Sequence, residues 1–308
     1  MTPLQRYIAE EIATDHLDGL LSRREALRRL GLLGIGAAAG AALIAACGET
    51  HHPDPAPVGD TPPETAPGPA PVAAPPPGAR TALPTSEIRW AGPAGELRGA
   101  WADAPEPIGA VLVIHENKGL TEHIRSVAGR FAGIGYSALA IDLLSAQGGT
   151  GQFTDPAAAT AALGEIDPAV LIADLTSAVG EIRRRVPDHT VAAVGFCMGG
   201  GLVWRLLAAG TRELVAAVPF YGPTPDDPDF AGSRDVAVLG FYGALDQRVN
   251  ATEPVARAAL NQAGMVYELI TESDANHAFF NDTGDRYHPA AAADAWRRIQ
   301  DWFTVHLA

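Results

Sequence analysis

A cysteine lies between two glycines where a predicted strand meets a predicted helix. The apolar run at 190–195 leads into Gly-Phe-Cys-Met-Gly over 195–199. Because glycine permits close backbone contact, this spacing allows a turn sharp enough to expose the Cys197 side chain above a sheet edge. The positive end of a helix at 198–209 would favour the thiolate. The pattern predicts a cysteine nucleophile, and the alternative is a small buried cysteine in a tight turn.

Two residues further along the chain could complete a nucleophilic triad with Cys197. Asp246 lies 49 residues later, after a predicted strand at 236–241, and His277 lies another 31 residues on, after a predicted strand at 266–270. Parallel strands end at one sheet edge, so all three side chains could meet there, with His277 as base and Asp246 fixing its tautomer. Taken singly, each could instead be an ordinary loop residue. Three other carboxylates are alternatives, but none follows a strand at the same spacing: Asp226, Asp227 and Asp274.

The segment after the predicted strand at 109–114 carries further candidates. It reads His-Glu-Asn-Lys over 115–118. The backbone N–H groups of Asn117 and Met198 would together stabilise an oxyanion. Glu116 would direct a carboxylate toward the cysteine, and the alternative for it is a buried structural ion pair. The His-Glu pair is not a metalloprotease motif, because glycine and leucine occupy 119–120, where a second histidine would be required.

Composition and charge exclude several other classes of protein. The 308 residues include 36 acidic and 22 basic side chains, and the net charge of −14 argues against a nucleic-acid-binding surface. Two cysteines form neither a disulfide framework nor a multi-thiolate metal site. No dinucleotide or Walker pattern is found, so we predict no cofactor and no metal. The glycine-rich stretch at 148–151 is expected to be a loop near a pocket rim rather than a phosphate cradle.

The N-terminal region has the pattern of an export signal. Paired arginines at 23–24 precede an apolar run of small residues at 30–46, which ends directly before Cys47. The arginine pair resembles a twin-arginine signal, and the residues before Cys47 resemble a lipobox. We therefore expect residues 1–47 to direct export across the cytoplasmic membrane and Cys47 to carry a lipid, which would place the protein in the periplasm or at the cell surface. The alternative is a short membrane anchor.

A proline-rich segment is expected to follow as a disordered tether over 48–86. Twelve of the 25 prolines lie between Pro53 and Pro84, and the segment has hardly any large apolar side chain. Such a composition buries too little surface to offset the entropy of ordering. We expect His51 and His52 to be solvated linker residues rather than metal ligands.

Residues 87–308 alternate short apolar runs with helical patterns. This alternation predicts an α/β fold with a mostly parallel central sheet and helices on both faces. An antiparallel hairpin is expected over 87–102 at the edge of the sheet. Strands are expected at 109–114, 137–141, 190–195, 215–220, 236–241 and 266–270, and helices at 121–134, 168–185, 198–209, 252–263 and 289–305.

Four motifs, in order, resemble the dienelactone hydrolase (carboxymethylenebutenolidase) family of α/β-hydrolases over about residues 95–305. They are Ile-His-Glu-Asn-Lys-Gly-Leu at 114–120, Gly-Phe-Cys-Met-Gly-Gly at 195–200, Gly-Ala-Leu-Asp at 243–246 and Asn-His-Ala-Phe at 276–279. The resemblance implies an α/β-hydrolase fold and a Cys197–His277–Asp246 triad that hydrolyses an ester or lactone. It also implies that Glu116 contacts the resting thiol and moves when substrate binds.

One position departs from the pattern of that family. Its type members carry an arginine four residues after the catalytic histidine, which binds the carboxylate of the substrate. This sequence has Asn281 at that position, and Arg286 nearby is out of register. The resemblance therefore implies the reaction type without implying a dienelactone as the substrate.

These observations lead to one main hypothesis and two alternatives. The main hypothesis is an exported, lipid-anchored cysteine hydrolase that cleaves a small ester or lactone through an acyl-enzyme. The first alternative is a catalytically silent, tethered binding domain of the same fold, against which the complete set of triad residues argues. The second is a thiol-redox role for Cys197, which is weakened by the absence of a resolving cysteine after Cys47 is set aside.

Overall fold

The computed structural model describes residues 1–50 and 75–307. The chain divides into two compact units at Pro75 and Pro76. In the first unit, three helices contact one another. These helices are α1 (Pro3–Leu17), α2 (Arg23–Leu32) and α3 (Ala37–Thr50).

The paired arginines of the predicted export signal open helix α2. The Ser22 hydroxyl caps this helix by accepting a hydrogen bond from the Glu25 N–H at 3.2 Å. The apolar run at 30–46 is interrupted at Gly34, whose φ of +78° ends α2 before α3 begins. Among residues 1–50 and 75–307, no helix combines the length and apolar character that a bilayer crossing requires. Export and lipidation at Cys47 stay predictions.

The predicted tether over 48–86 is shorter than expected, because its C-terminal end belongs to the folded domain. His51, His52 and most of its prolines lie outside the described residues. Residues 76–85, in contrast, belong to the second unit, where the Leu83 N–H donates to the Gly129 carbonyl at 2.9 Å. A Cβ at Gly129 would lie 2.3 Å from the Leu83 oxygen, so glycine is what lets the backbone of this segment approach the domain. The described domain thus begins near Pro76, about ten residues before the predicted boundary at 86.

The second unit contains one eight-stranded sheet, with strand order β1-β2-β4-β3-β5-β6-β7-β8. Strands β1, β2 and β4 pair antiparallel, and every pairing from β4 through β3 to β8 is parallel. The strands are β1 (Ser86–Ala91), β2 (Glu96–Ala102), β3 (Gly109–Ile114), β4 (Tyr136–Asp142), β5 (Val191–Phe196), β6 (Leu214–Phe220), β7 (Ala237–Gly243) and β8 (Tyr267–Glu272). The predicted edge hairpin and the predicted strands are confirmed.

Helices flank the sheet on both sides, which confirms the predicted fold class. They are α4 (Glu122–Ala132), α5 (Pro156–Gly164), α6 (Pro168–Arg185), α7 (Met198–Ala208), α8 (Gln247–Asn250), α9 (Glu253–Ala263) and α10 (Pro289–His306). Helices α5 and α8 were not predicted. The first is so rich in alanine that no apolar period stands out, and the second has only one turn.

The central strands show why the sequence pattern is informative. Every residue of β3 and β5 is buried, as expected for parallel strands covered by helices on both faces. Because these strands and β6, β7 and β8 run parallel, their carboxyl ends meet at one edge of the sheet. The segments that follow them carry the candidate site residues.

Candidate active site

Cys197 occupies a strained turn between β5 and α7. Its φ of +56° and ψ of −117° are unfavourable for a residue with a side chain, and its N–H donates to the Phe220 carbonyl at 3.1 Å. A Cβ at Gly195 would lie 2.2 Å from the Gly199 oxygen. The glycines therefore perform the role predicted for them, because any larger residue would prevent the sharp turn.

Gly199 offers a test of this turn by mutation. A Cβ there would lie 2.4 Å from the Ile114 oxygen and 2.6 Å from the His115 oxygen, and both are backbone atoms. Gly199→Ala is therefore expected to lower the free energy of unfolding by about 2–3 kcal/mol, as measured by urea denaturation. The matched control is Gly180→Ala in α6, where the new methyl group meets nothing within 4 Å. The control should stabilise the protein by about 0.5–1 kcal/mol, and equal effects of the two changes would contradict this account of the turn.

Asp246 and His277 form a buried pair at the sheet edge. The Nδ1 atom of His277 lies 2.6 Å from Oδ2 of Asp246, and both side chains are at most 6% exposed. The other Asp246 oxygen accepts from the Val249 N–H at 3.2 Å. Burial alone would raise the pKa of Asp246, but the charge and hydrogen bond of His277, with Arg248 and the Val249 N–H, hold that pKa below its ordinary value. The pair therefore keeps a carboxylate against the imidazole at neutral pH.

The thiol of Cys197 lies next to this pair. Its Sγ atom and a ring nitrogen of His277 are within 4.8 Å of each other. Because Nδ1 faces Asp246, the Nε2 atom is the nitrogen that can exchange a proton with the thiol. Of the four carboxylates considered from the sequence, Asp246 is thus the one that contacts the histidine. The other three were Asp226, Asp227 and Asp274.

Two N–H groups were predicted to stabilise an oxyanion. One belongs to Met198, the residue after Cys197, and the other to Asn117, in the segment after the neighbouring strand. Met198 is the first residue of α7, where an N–H group has no acceptor inside its own helix. Asn117 is buried in the segment after β3, the strand that pairs with β5. Their N–H groups therefore belong to adjacent strand ends, as an oxyanion hole requires.

His115 stabilises the segment after β3, and both of its ring nitrogens bind backbone groups. It is fully buried, its Nδ1–H donates to the Glu116 carbonyl at 2.6 Å, and its Nε2 accepts from the Leu143 N–H at 3.2 Å. Burial lowers the pKa of His115, which favours the neutral ring that these two hydrogen bonds need. The residue fixes the backbone on which Glu116 and Asn117 stand.

Glu116 is buried beside the site, but its partner differs from both expectations. Its Oε2 atom accepts a hydrogen bond from Nδ2 of Asn281 at 2.6 Å, and among the described residues it forms no ion pair. The structural ion pair weighed for Glu116 is therefore not its environment here. Asn281, singled out as a departure from the family pattern, lies within the site.

Tyr221 is a site residue that the sequence analysis missed. It directly follows β6, has a φ of +35°, and packs its ring edge-on against His277 with centroids 5.1 Å apart. Burial raises the pKa of Tyr221 well above its ordinary value, and the negative charges of Glu116 and Cys197 raise it further. The sequence did offer one signal for Tyr221, since it directly follows the predicted strand at 215–220 and therefore lies at the same sheet edge as the triad candidates.

The glycine-rich stretch at 148–151 is a structural loop, as predicted. The Thr150 N–H and hydroxyl donate to the two oxygens of the Asp142 carboxylate, at 2.7 and 2.8 Å. The loop thus binds a side chain of its own domain where a phosphate cradle would bind a ligand.

A further buried carboxyl, that of Glu272, lies at the end of β8. Burial, with the charge of Asp294, raises its pKa to about 7 despite the opposing charges of Arg298 and Arg297. The Oε1 atom of Glu272 is buried and accepts no hydrogen bond among residues 1–50 and 75–307. Its main-chain oxygen accepts from the Ala244 N–H at 2.9 Å, which links β8 to the segment that carries Asp246.

This carboxyl should make stability depend on pH. Between about pH 4.5 and 7 the folded state binds more protons than the unfolded state, so stability falls as the pH rises through that window. Glu272→Gln is therefore expected to gain about 1–2 kcal/mol relative to the wild type between pH 5 and pH 8, measured by urea unfolding. The control, Glu268→Gln at an exposed position of the same strand, should show no such gain. A constant difference at the two pH values would contradict the assignment.

The sheet topology, the strained turn at Cys197 and the edge that gathers these side chains define a hydrolase of the α/β-hydrolase class. Residues 97–307 match the model of the dienelactone hydrolase family. The chain belongs to the dienelactone hydrolase family. This confirms the resemblance stated from the four motifs.

Similar proteins support the same assignment. A protein of Escherichia coli O157:H7, provisionally named a carboxymethylenebutenolidase, is 35% identical over 223 residues, which are 68% of this chain and 81% of the relative. A crystal structure from Klebsiella pneumoniae, provisionally named a dienelactone hydrolase, is 30% identical with a TM-score of 0.63 and covers 71% of this chain and 98% of its own. The dienelactone hydrolase-like promiscuous phosphotriesterase P91, at 24% identity and a TM-score of 0.64 over 74% of this chain and 100% of its own, shares the fold.

Proposed function

We propose that this protein is an exported cysteine hydrolase that cleaves a small carboxylic ester or lactone through an acyl-enzyme. Cys197 is the nucleophile, His277 the general base and acid, and Asp246 the residue that orients the imidazole. The observation that carries the proposal is the 2.6 Å contact between His277 Nδ1 and Asp246 Oδ2, with the thiol within 4.8 Å of the same ring. The family assignment supports the reaction class.

The first half of the reaction would acylate the cysteine. The thiol proton passes to Nε2 of His277 as Sγ attacks the carbonyl carbon, and the carbonyl oxygen becomes an oxyanion. The N–H groups of Asn117 and Met198 stabilise that oxyanion. The C–O bond to the alcohol then breaks, and the departing oxygen takes the proton from His277. For a lactone, the alcohol stays attached to the acyl group.

The second half would release the acid. A water molecule gives a proton to Nε2 of His277 and attacks the thioester carbon, which forms a second oxyanion at the same donors. Collapse of this intermediate breaks the C–S bond, and the sulfur recovers its proton from His277. Asp246 keeps its negative charge throughout and stabilises the imidazolium that forms in each half.

The location proposed for this activity rests on the N-terminal sequence. Residues 1–47 would act as an export signal and Cys47 would become the lipid-carrying N-terminus, so that the segment from 48 onward ties the hydrolase domain to a membrane surface. Growth with labelled palmitate, followed by capture of the protein, tests this. Label in the wild type and none in Cys47→Ala is the expected result, and no label in either would contradict it.

Intact-mass analysis tests the enzymatic proposal directly. After brief incubation with a panel of esters and lactones, we expect the protein mass to increase by the mass of an acyl group for the substrate class that reacts. The increase should map to the peptide containing Cys197 and should be absent in Cys197→Ala. A panel that includes activated esters yet leaves the mass unchanged, with no product released, would favour the silent binding domain instead.

A further inference from the structure

The hydrogen bonds of Glu116 are unequal between its two oxygens. Its Oε2 atom accepts from Nδ2 of Asn281 at 2.6 Å. Its Oε1 atom is buried and accepts no hydrogen bond from residues 1–50 or 75–307. A buried polar atom without a partner costs free energy, so the Oε1 atom would gain from a hydrogen bond to a bound substrate. One oxygen of the Glu116 carboxylate is thus fixed by Asn281, and the other is available to a further donor.

The orientation of the Asn281 amide is determined by its other contacts. Its Oδ1 atom accepts hydrogen bonds from the Thr283 N–H at 3.0 Å and from the Thr283 hydroxyl at 2.7 Å. Since the oxygen is an acceptor toward Thr283, the NH₂ group must face Glu116 as a donor. The residue that holds Glu116 is therefore a neutral donor.

The loop that carries Asn281 is anchored by a buried charge cluster. The next residue, Asp282, lies 2.8 Å from Nη2 of Arg130 and 2.8 Å from Nδ1 of His123, and both partners are 2% exposed. Burial would raise the pKa of Asp282, but hydrogen bonds from His123 and Arg130 lower it to about 2. The carboxylate is thus charged over the whole neutral range, and Asn281 is held between this cluster and Glu116.

Glu116 is also close enough to the reaction to act on substrate charge. Glu116 directly follows His115, whose main-chain oxygen would lie 2.6 Å from a Cβ at Gly199, two residues after Cys197. Its partner Asn281 lies four residues after His277, so Glu116 is buried between the segments that carry the thiol and the imidazole. No cation forms an ion pair with Glu116 among the described residues. An acyl group bound at Cys197 that carried a carboxylate would place this charge near the Glu116 carboxylate, which only a neutral amide holds. Like charges repel strongly in a site that is shielded from water.

We propose that Asn281 is a positioning residue that holds Glu116 beside the thiol through a neutral hydrogen bond, and that this pair selects substrates whose acyl group carries no negative charge. The inference rests on the proposed function and adds a substrate class to it. The amide aligns the carboxyl without neutralising it. Selection therefore arises from repulsion between the Glu116 carboxylate and a carboxylate on the acyl group.

Two esters of nearly equal shape test the selection. In p-nitrophenyl butyrate the acyl chain ends in a methyl group, and in mono-p-nitrophenyl succinate a carboxylate replaces that methyl group. At pH 7.5 the wild type is expected to prefer the butyrate ester by about tenfold or more in kcat/KM. Equal kcat/KM values for the two esters would overturn the inference.

Two substitutions separate positioning from a merely structural role. Asn281→Asp keeps an acceptor for Thr283 but loses the donor to Glu116, and it is expected to lower kcat for the neutral ester about tenfold or more with little change in KM. Asn281→Arg adds a cation and should shift the preference at least about tenfold toward the succinate ester. A general loss of structure would lower both rates without changing their ratio.

A control variant and the pattern of results distinguish failure of the charge-selection inference from failure of the proposed hydrolase function. Asn261→Ala removes an exposed asparagine of α9 that accepts from the Tyr267 hydroxyl at 2.9 Å, and it should leave both rates unchanged. If the wild type hydrolyses the esters through Cys197 but Asn281→Asp and Asn281→Arg keep its rates and preference, the inference fails and the proposed function stands. If neither ester is hydrolysed in a Cys197-dependent way, both fail.

Discussion

Replacing Cys197 with alanine is expected to lower kcat/KM for p-nitrophenyl acetate by about 10⁴-fold or more. The reason is that the acyl-enzyme cannot form without the sulfur, while binding and the oxyanion donors alone retain only a small part of the rate enhancement. The measurement is initial-rate kinetics at pH 7.5 with stopped-flow detection of the first turnover. The wild type should show a burst of p-nitrophenol equal to the enzyme concentration, and the variant should show none.

The other cysteine supplies the matched control for this prediction. Cys47 lies on α3 of the N-terminal unit, and Cys47→Ser is expected to keep the wild-type rate and burst. Cys197→Ser separates sulfur chemistry from the shape of the turn, because it preserves the strained backbone but offers a far less acidic group. A Cys197→Ala variant that retains the burst would show that Cys197 is not the nucleophile.

Asp246→Asn is the second change for which a large effect is expected, a fall in kcat of about 10³–10⁴-fold. The amide matches the carboxylate in shape, but its NH₂ group facing Nδ1 would reverse the tautomer of His277 and put a proton on the nitrogen that must accept one. Loss of the charge would also remove the stabilisation of the imidazolium. Steady-state kinetics across pH 6–9 test this, since raising the pH should not restore the rate.

The control for Asp246 is one of the acids that the sequence left as an alternative. Asp226 is exposed, and Asp226→Asn should retain the wild-type kcat. The combined variant with His277→Ala gives a second test, because residues that act as a unit lose activity non-additively. An Asp246→Asn, His277→Ala double variant whose loss equals the product of the two single losses would show that the pair does not work together.

The strands and the candidate triad were predictable because each depends on a local pattern. Continuous apolar runs marked β3 and β5, since a strand buried on both faces has few polar positions. The turn at Cys197 was predictable because glycine is required on both sides of it, and the pairing of Asp246 with His277 followed from their places after parallel strands.

Other features were not predictable because no local pattern marks them. Residues 76–85 look like the tether before them, yet they pack on the domain because a glycine in α4 leaves room for their backbone. Helix α5 contains too many alanines to show a period. The N-terminal helices were set aside as a signal, so their mutual contacts were not considered.

The sequence by itself determined the order of the strands along the chain and the glycine-flanked turn at the cysteine, and it favoured Asp246 and His277 as the residues that face that turn. The tertiary structure decided what surrounds those groups: Tyr221 against the imidazole, and Asn281 holding Glu116 across 165 positions of the chain. The physical reason is the separation along the chain of the residues that interact. Turns and strands follow from neighbouring residues, whereas the partner of a buried carboxyl depends on which distant loop packs over it.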